Sequence, residues 1–374
     1  MTMTQKTKPR ARDLGLPFTG RTGPLNAITD VEGIAVGFRT IREETPRPGR
    51  KLPVRTGVTA ILPHSESETP VPVYAGVHRF NGNGEMTGTH WIEDGGTFLG
   101  PVMITNTHGV GITHHATIRW MLERYASTYD IGDFLWLMPV IAETYDGALS
   151  DINGMPVTEA DARAALDDLS RGPVTEGNCG GGTGMITYGF KGGTGTSSRI
   201  VTYGGKDYTI GTLVQANHGQ RDWLTVCGVP VGKHLQDNTP QSQLKERGSI
   251  IVVIATDLPL APHQLKRLAR RAAIGIGRGG TPGGNNSGDI FLAFSTANPQ
   301  PMAHRAPEVL SLEILNDEHL DAAYLAAVDS VEEAVVNAML AAEDAGGTPH
   351  DRLRIDAIRH DALLAVMRQY GRVD

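Results

Sequence analysis

The chain has 374 residues, 20% charged and 40% hydrophobic, with a formal net charge of −7. That length allows one large or two ordinary domains with a sizeable core, and the mild acidity gives no electrostatic footprint for nucleic acid. Two cysteines, Cys179 and Cys227, exclude a disulfide framework, and no apolar run approaches the ~18 residues of a membrane span.

Residues 1–12 are polar and basic with no apolar segment behind them, unlike a secretory signal, so a cytoplasmic protein is expected. Glycine fills 46 positions, well above the usual ~7%, which signals tight turns and close backbone approaches. Residues 13–27 hold several Gly and Pro, 28–38 read as a strand with turns, and 42–53 as a charged, Pro-rich exposed loop. Residues 57–62 and 71–76 read as sheet strands. Residues 81–88, Asn-Gly-Asn-Gly-Glu-Met-Thr-Gly, are dense turn chemistry that 91–96 continues: a surface hairpin, or a loop of a substrate site. A strand over 101–107 precedes a helix over 114–129, with Ile118, Met121, Leu122 and Tyr125 at helical spacing. His78, His90, His108, His114 and His115 lack the spacing of a metal site and read as structural. A core strand over 135–144 ends in Glu-Thr-Tyr-Asp-Gly. Glu143 is either a solvated strand terminus or a carboxylate able to hold a substrate ammonium, and Tyr145 puts a phenol beside it.

Thr158, with Asp161 three residues on, predicts a capped helix over 158–169. Residues 177–195 are the richest in glycine. They lack the Lys-Ser/Thr ending and the strand-to-helix frame of a phosphate loop, so a loop built for close backbone approach is expected. Cys179 within it is a weak nucleophile candidate, having no base partner at a readable spacing. A strand over 210–217 ends in Asn217, either a turn residue or an amide donor to an oxyanion. Residues 239–247 read as a polar, mobile segment.

That segment leads into Glu-Arg-Gly-Ser and five β-branched residues, 250–254, which predict a strand buried on both faces. Ser249 heads it. Either this serine simply starts a strand, or its hydroxyl is a nucleophile. As a nucleophile it would attack the Gly248 carbonyl, shift the acyl group from nitrogen to oxygen, and free its own α-amine on hydrolysis. Gly248 suits this, because it tolerates strained backbone and blocks no approach. The new amine has an ordinary pKa of roughly 7.7–8.0 and would serve as a base for the hydroxyl.

Residues 262–277 predict an amphipathic helix with Pro in its first turn, followed by a tight turn over 278–284. Asn-Asn-Ser-Gly-Asp at 285–289 runs into a buried strand over 290–295, which the helix would set beside the Ser249 strand. Ser287 and Asp289 share a side if the segment is extended: a proton-accepting pair, or a turn capping a strand. Ser330 and Glu333 predict a capping box opening a further helix that Gly346 and Gly347 end, and Thr348 a last helix to about 368. No repeat and no linker appears, so 1–374 is read as one domain.

Several long stretches resemble one family. They are Arg-Ala-Arg-Asp-Leu-Gly-Leu-Pro-Phe-Thr-Gly at 10–20, Phe-Asn-Gly-Asn-Gly-Glu-Met-Thr-Gly-Thr-His-Trp at 80–91, Ala-Glu-Thr-Tyr-Asp-Gly at 142–147, Gln-Ala-Asn-His-Gly-Gln at 215–220, Glu-Arg-Gly-Ser at 246–249 and Gly-Gly-Asn-Asn-Ser-Gly-Asp at 283–289. Nearly end to end, the chain resembles the DmpA-type L-aminopeptidase D-amidase/D-esterases. These are autoprocessing serine aminopeptidases related to the β-peptidyl aminopeptidases. The related β-peptidyl enzymes carry Glu where this chain has Asp289. The resemblance implies an α+β fold, a four-layer αββα sandwich like the N-terminal-nucleophile hydrolases but differently connected. It implies cleavage between Gly248 and Ser249 into subunits 1–248 and 249–374 that stay associated. Ser249 would be the nucleophile, with its own amine or Ser287 and Asp289 handling the proton. Asn217 would line the oxyanion hole, to which we add the Gly288 N–H. Tyr145 would sit near the reacting carbonyl, and Glu143 would take the substrate amine. Substrates would be small peptides, amides and esters, without metal or organic cofactor, in a homotetramer. Two other classes remain open: a self-cleaving N-acyltransferase of the ornithine acetyltransferase type, which normally cuts before Thr, and a binding or structural protein without chemistry.

Overall fold

The computed structural model describes residues 8–128, 135–240 and 248–374. The first half opens with β1 (Ala35–Glu43), β2 (Val54–Leu62), β3 (Val73–Arg79), α1 (Thr89–Gly95), β4 (Thr97–Phe98), β5 (Val102–Asn106), α2 (Val110–Arg124), β6 (Val140–Thr144) and α3 (Glu159–Asp167). It continues through the short β7 (Ile186–Thr187) and β8 (Phe190–Lys191), then β9 (Gly193–Tyr203), β10 (Lys206–Asn217) and the one-turn α4 (Val231–His234). The remainder is β11 (Ser249–Thr256), α5 (Pro262–Arg278), β12 (Gly288–Ser295), α6 (Asp321–Ala341), β13 (Ala345–Gly346), β14 (Arg354–Ile355) and α7 (His360–Gln369).

Two sheets carry the fold. One has four strands in the order β1-β2-β5-β6, the other six in the order β4-β3-β12-β11-β10-β9. Three apolar clusters fill the spaces between layers. Ile104, Ala142, Ile251, Val253 and Leu292 pack between the sheets. Met103, Ile141, Trp120 and Leu166 join the smaller sheet to α2 and α3. Ile250, Val252, Leu265, Leu268 and Val331 join the larger sheet to α5 and α6. The result is the expected αββα sandwich. Every residue of β11 is buried, as its β-branched run requires: stiff at χ1, such side chains fit a pleated surface covered on both faces. Burying each of them is worth roughly 1.5–3 kcal/mol. In α5, Pro262 sits in the first turn, and Leu265, Leu268, Ala269, Ala272 and Ile276 form the buried stripe.

Several elements depart from expectation. Residues 91–95 belong to a helix, α1, closed by Gly96 in the left-handed region at φ 74°, the usual C-terminal stop. β6 begins at Val140, because Pro139 has no N–H to give a ladder; the first strand bond is Val140 N–H to Pro101 O, 3.2 Å. The helix expected over 114–129 runs over Val110–Arg124, and Tyr129 lies outside the described residues, as do 241–247 of the segment expected to be mobile. The strand β9 was not foreseen, since Gly-Thr-Gly-Thr-Ser-Ser-Arg shows no apolar alternation. It pairs with β10 from Gly193↔Ala216 to Tyr203↔Lys206. Its buried hydroxyls are satisfied by carbonyls: Thr194 on Cys179 O, Thr196 on Thr212 O, Ser197 on Ser330 O. Ser330 and Glu333 are not a cap but lie inside α6, where Ser330 Oγ donates to Ala327 O at 3.0 Å and the buried Glu333 pairs with Arg199 at 2.6 Å. The last helix starts at His360, not Thr348. The Thr348–Asp351 turn is tied down by Arg55 on Asp351 at 2.6 Å, and Arg354–Ile355 pairs with Ala345–Gly346.

The glycine-rich 177–195 stretch is a packing device. A Cβ on Gly181 would stand 2.1 Å from Gln215 Oε1 and 2.8 Å from Ile104 O, and one on Gly195 would stand 2.0 Å from Ala334 O. Backbone therefore meets both sheets and α6 with no room for side chains. Among the described residues no helix is long and apolar enough to cross a membrane, and no three His, Cys, Asp or Glu residues gather as metal ligands.

Candidate active site

Strand register builds the site. Asn217, the last residue of β10, stands opposite Ser249, the first of β11. Ser249 lies beside Gly288, the first of β12, in a parallel pairing. β3 reaches the same line, with Arg79 opposite Ile290, after which the N–H groups of Phe80 and Asn81 donate to Asp289 O at 2.9 and 3.4 Å. Four strand ends thus set Asn217, Ser249, Gly288, Asp289 and Asn81 in one row.

Ser249 is buried, and its Oγ accepts from the Gly288 N–H at 3.3 Å. Asn217 is held by backbone on both sides of its amide: Oδ1 accepts from Ile186 N–H at 2.8 Å and Nδ2 donates to Tyr145 O at 3.0 Å. An amide nitrogen carries two hydrogens, and among the described residues one of them has no acceptor. Gly248 admits no other residue, since a Cβ there would lie 1.7 Å from Asn217 O. Glu246 and Arg247 lie outside the described residues.

Ser287 Oγ donates to Asp289 Oδ1 at 2.6 Å, confirming that the two share a side. The Ser249 hydroxyl accepts from the Gly288 N–H, and among the described residues it has no bond to this pair. Burial holds the Asp289 carboxyl above the usual range, and the bonds from Ser287 and Asn81 oppose that rise.

Glu143 approaches from the other sheet. It is only 3% exposed, so it is not a solvated terminus. Its Oε1 accepts from the Glu85 N–H at 3.0 Å and its Oε2 from Thr107 Oγ1. Burial raises its carboxyl above the ordinary value, while these two bonds lower it. A Cβ on Gly84 would lie 3.3 Å from both Glu143 Oε1 and Gly288 Cα, so a single thickness of backbone separates Glu143 from the Ser249 row. Tyr145 offers Asn217 its carbonyl, while its half-exposed ring lies over Gly147.

Residues 81–86 are the loop at the site rather than a surface hairpin. Asn81 Nδ2 donates to Asp289 Oδ2 at 3.2 Å, Asn83 Nδ2 to Asn286 O at 2.7 Å, Glu85 N–H to Glu143, and Met86 bridges to Ala142. The segment crosses from one sheet to the other. Sequence reasoning gave no role to Asn81, Thr107 or Asp146. Asn81 lay within a quoted motif. Thr107 and the fully buried Asp146, whose carboxyl burial raises to about 7, are brought in by the parallel β5/β6 register, which leaves no local mark. Cys179 is buried and its thiol is pushed up to about 12 by that burial, so it is no nucleophile at neutral pH.

The sequence matches peptidase family S58 over residues 26–352. The chain belongs to peptidase family S58. A solved structure described as the L-aminopeptidase D-Ala-esterase/amidase of Ochrobactrum anthropi, a prototype for the serine aminopeptidases, is 76% identical. It superposes with a TM-score of 0.95 over 98% of this chain and 100% of that one, and it is described as a new variant among the Ntn hydrolase fold. The β-peptidyl aminopeptidase BapA of Sphingosinicella microcystinivorans is 47% identical, over 98% of this chain and 93% of its own. The β-aminopeptidase structure from Burkholderia sp. is 42% identical, with a TM-score of 0.87 over 97% of this chain and 99% of that one. This S58 chain is therefore a hydrolase of the aminopeptidase class, with that variant of the Ntn hydrolase fold.

Proposed function

We propose that the chain is an autoprocessing serine aminopeptidase that releases N-terminal residues from small peptides, amides and esters, with L-peptidase and D-amidase/D-esterase activity. One observation carries the reading: Ser249 heads a buried strand between Asn217 of β10 and Gly288 of β12, whose N–H donates to its Oγ, directly after a glycine where no side chain fits. In processing, Ser249 Oγ bonds to the Gly248 carbonyl carbon, the C–N bond breaks, and the hydroxyl proton goes to the nitrogen. Water then hydrolyses the ester, leaving a Gly248 carboxylate and a free amine on Ser249. Fragments 1–248 and 249–374 stay together because β11 and β12 lie in the middle of a sheet flanked by β3 and β10.

In catalysis Glu143 holds the substrate ammonium, which restricts the enzyme to chain starts. Ser249 attacks the first carbonyl, and its proton passes through Ser287 to the ionised Asp289. Gly288 and Asn217 meet the oxyanion, a donor of this kind being worth ~2.7–4 kcal/mol. Asp289 returns the proton to the leaving group, and water releases the amino acid from the ester. The family match does not favour the acyltransferase alternative. Ser249→Ala tests the proposal on a denaturing gel with an amino-acid amide assay. A single inactive band is expected; two bands from that variant would remove Ser249 from the cleavage.

A further inference from the structure

We propose that Asn81 is a positioning residue that holds Asp289 in the orientation and charge state the reaction needs. The inference rests on the reading of Asp289 as proton acceptor. Each carboxylate oxygen has one side-chain donor: Ser287 Oγ on Oδ1 at 2.6 Å and Asn81 Nδ2 on Oδ2 at 3.2 Å. The Asn81 amide cannot be turned around, because the same nitrogen also donates to Gly284 O at 3.1 Å. A flipped amide would aim its oxygen at a carbonyl and a carboxylate together. Its backbone is fixed as well: the Phe80 and Asn81 N–H groups both meet Asp289 O where β3 ends.

No cation competes for this role. Arg79 stands opposite Ile290 and His78 opposite Phe291. Lys266 and Arg270 of α5 act on His78, and Arg79 pairs with Glu93. Glu85 lies at the far end of the same segment, with its N–H on Glu143 of β6. None of these forms an ion pair with Asp289 among the described residues, so neutral donors, Ser287 and Asn81 with the Ile250 backbone, offset the burial of its charge. Removing one of them favours the protonated acid, which cannot accept a proton.

The test is the pH profile of kcat for processed wild type, Asn81→Ala, Asn81→Asp and Asp289→Asn on an amino-acid amide. Asn81→Ala should move the acid limb up by about one pH unit, the scale of one hydrogen bond to a charged group. On the acid limb activity should fall through kcat, with KM changed less than about twofold. Asn81→Asp keeps the shape but sets a like charge beside Asp289, and should move the limb further up. A merely structural role would lower yield or melting temperature without moving the limb. Superimposable limbs for wild type and both Asn81 variants, with Asp289→Asn strongly impaired, overturn the inference alone. Near-normal activity of Asp289→Asn overturns the reading beneath it.

Discussion

The two sheets enter the candidate site by opposite ends. Each contains one parallel pair closed by a crossover helix, β11/β12 through α5 and β5/β6 through α2. The larger sheet presents strand starts, Ser249 and Gly288, and with them a backbone N–H aimed at oxygen. The smaller sheet presents strand finishes, and with them acceptors: the Glu143 carboxylate and the Tyr145 carbonyl. In the proposed reaction the first meets the oxyanion and the second the ammonium, so damage to the larger sheet's half should appear in kcat and damage to the smaller sheet's half in KM.

The largest expected effect is that of Ser249→Ala, which should abolish both chain cleavage and amidase activity. Next comes Asn217→Ala. Losing an oxyanion donor should lower kcat by about 10²–10³-fold with little change in KM, in steady-state kinetics on processed enzyme; an effect confined to KM would break the division of labour. Glu143→Gln should do the reverse, raising KM for peptides by about 10–100-fold, as expected for a lost hydrogen bond to a charged group, while kcat stays within a few-fold. The pH dependence sharpens the point. Burial raises the Glu143 carboxyl, and only its ionised form pairs with an ammonium. Wild-type KM should therefore rise as pH falls through that raised pKa, and the Gln variant should show a high, flat KM. The smallest effect is that of Cys179→Ala, whose kcat and KM should stay within about twofold, since its buried thiol is pushed up to about 12 and donates to Thr175 O, away from the Ser249 row.

How far this was legible in the sequence depended on the range of the interactions. The β11 strand, α5 and the Ser287–Asp289 pair were readable because each is written in a few consecutive residues: a β-branched run, a helical stripe, a two-residue spacing. β9 was not, because its buried hydroxyls are satisfied by carbonyls from distant segments, such as Ser197 on Ser330 O, and periodicity counts only apolar side chains. The Ser-x-x-Glu at 330–333 misled for a related reason, as Glu333 answers to Arg199, 134 positions away. Within the site, the motifs named Ser249, Asn217 and Glu143. Thr107 and the Asn81 bond to Asp289 depend on which strands neighbour one another, and that is decided by the packing of two sheets rather than by any short stretch.

N-terminal sequencing of purified, active enzyme tests the central claim most directly. The account predicts two sequences in equal amounts, one beginning near Met1 and the other with Ser-Ile-Ile-Val-Val from Ser249. Full activity with only the Met1 or Thr2 start, and Ser249 still internal, would contradict it.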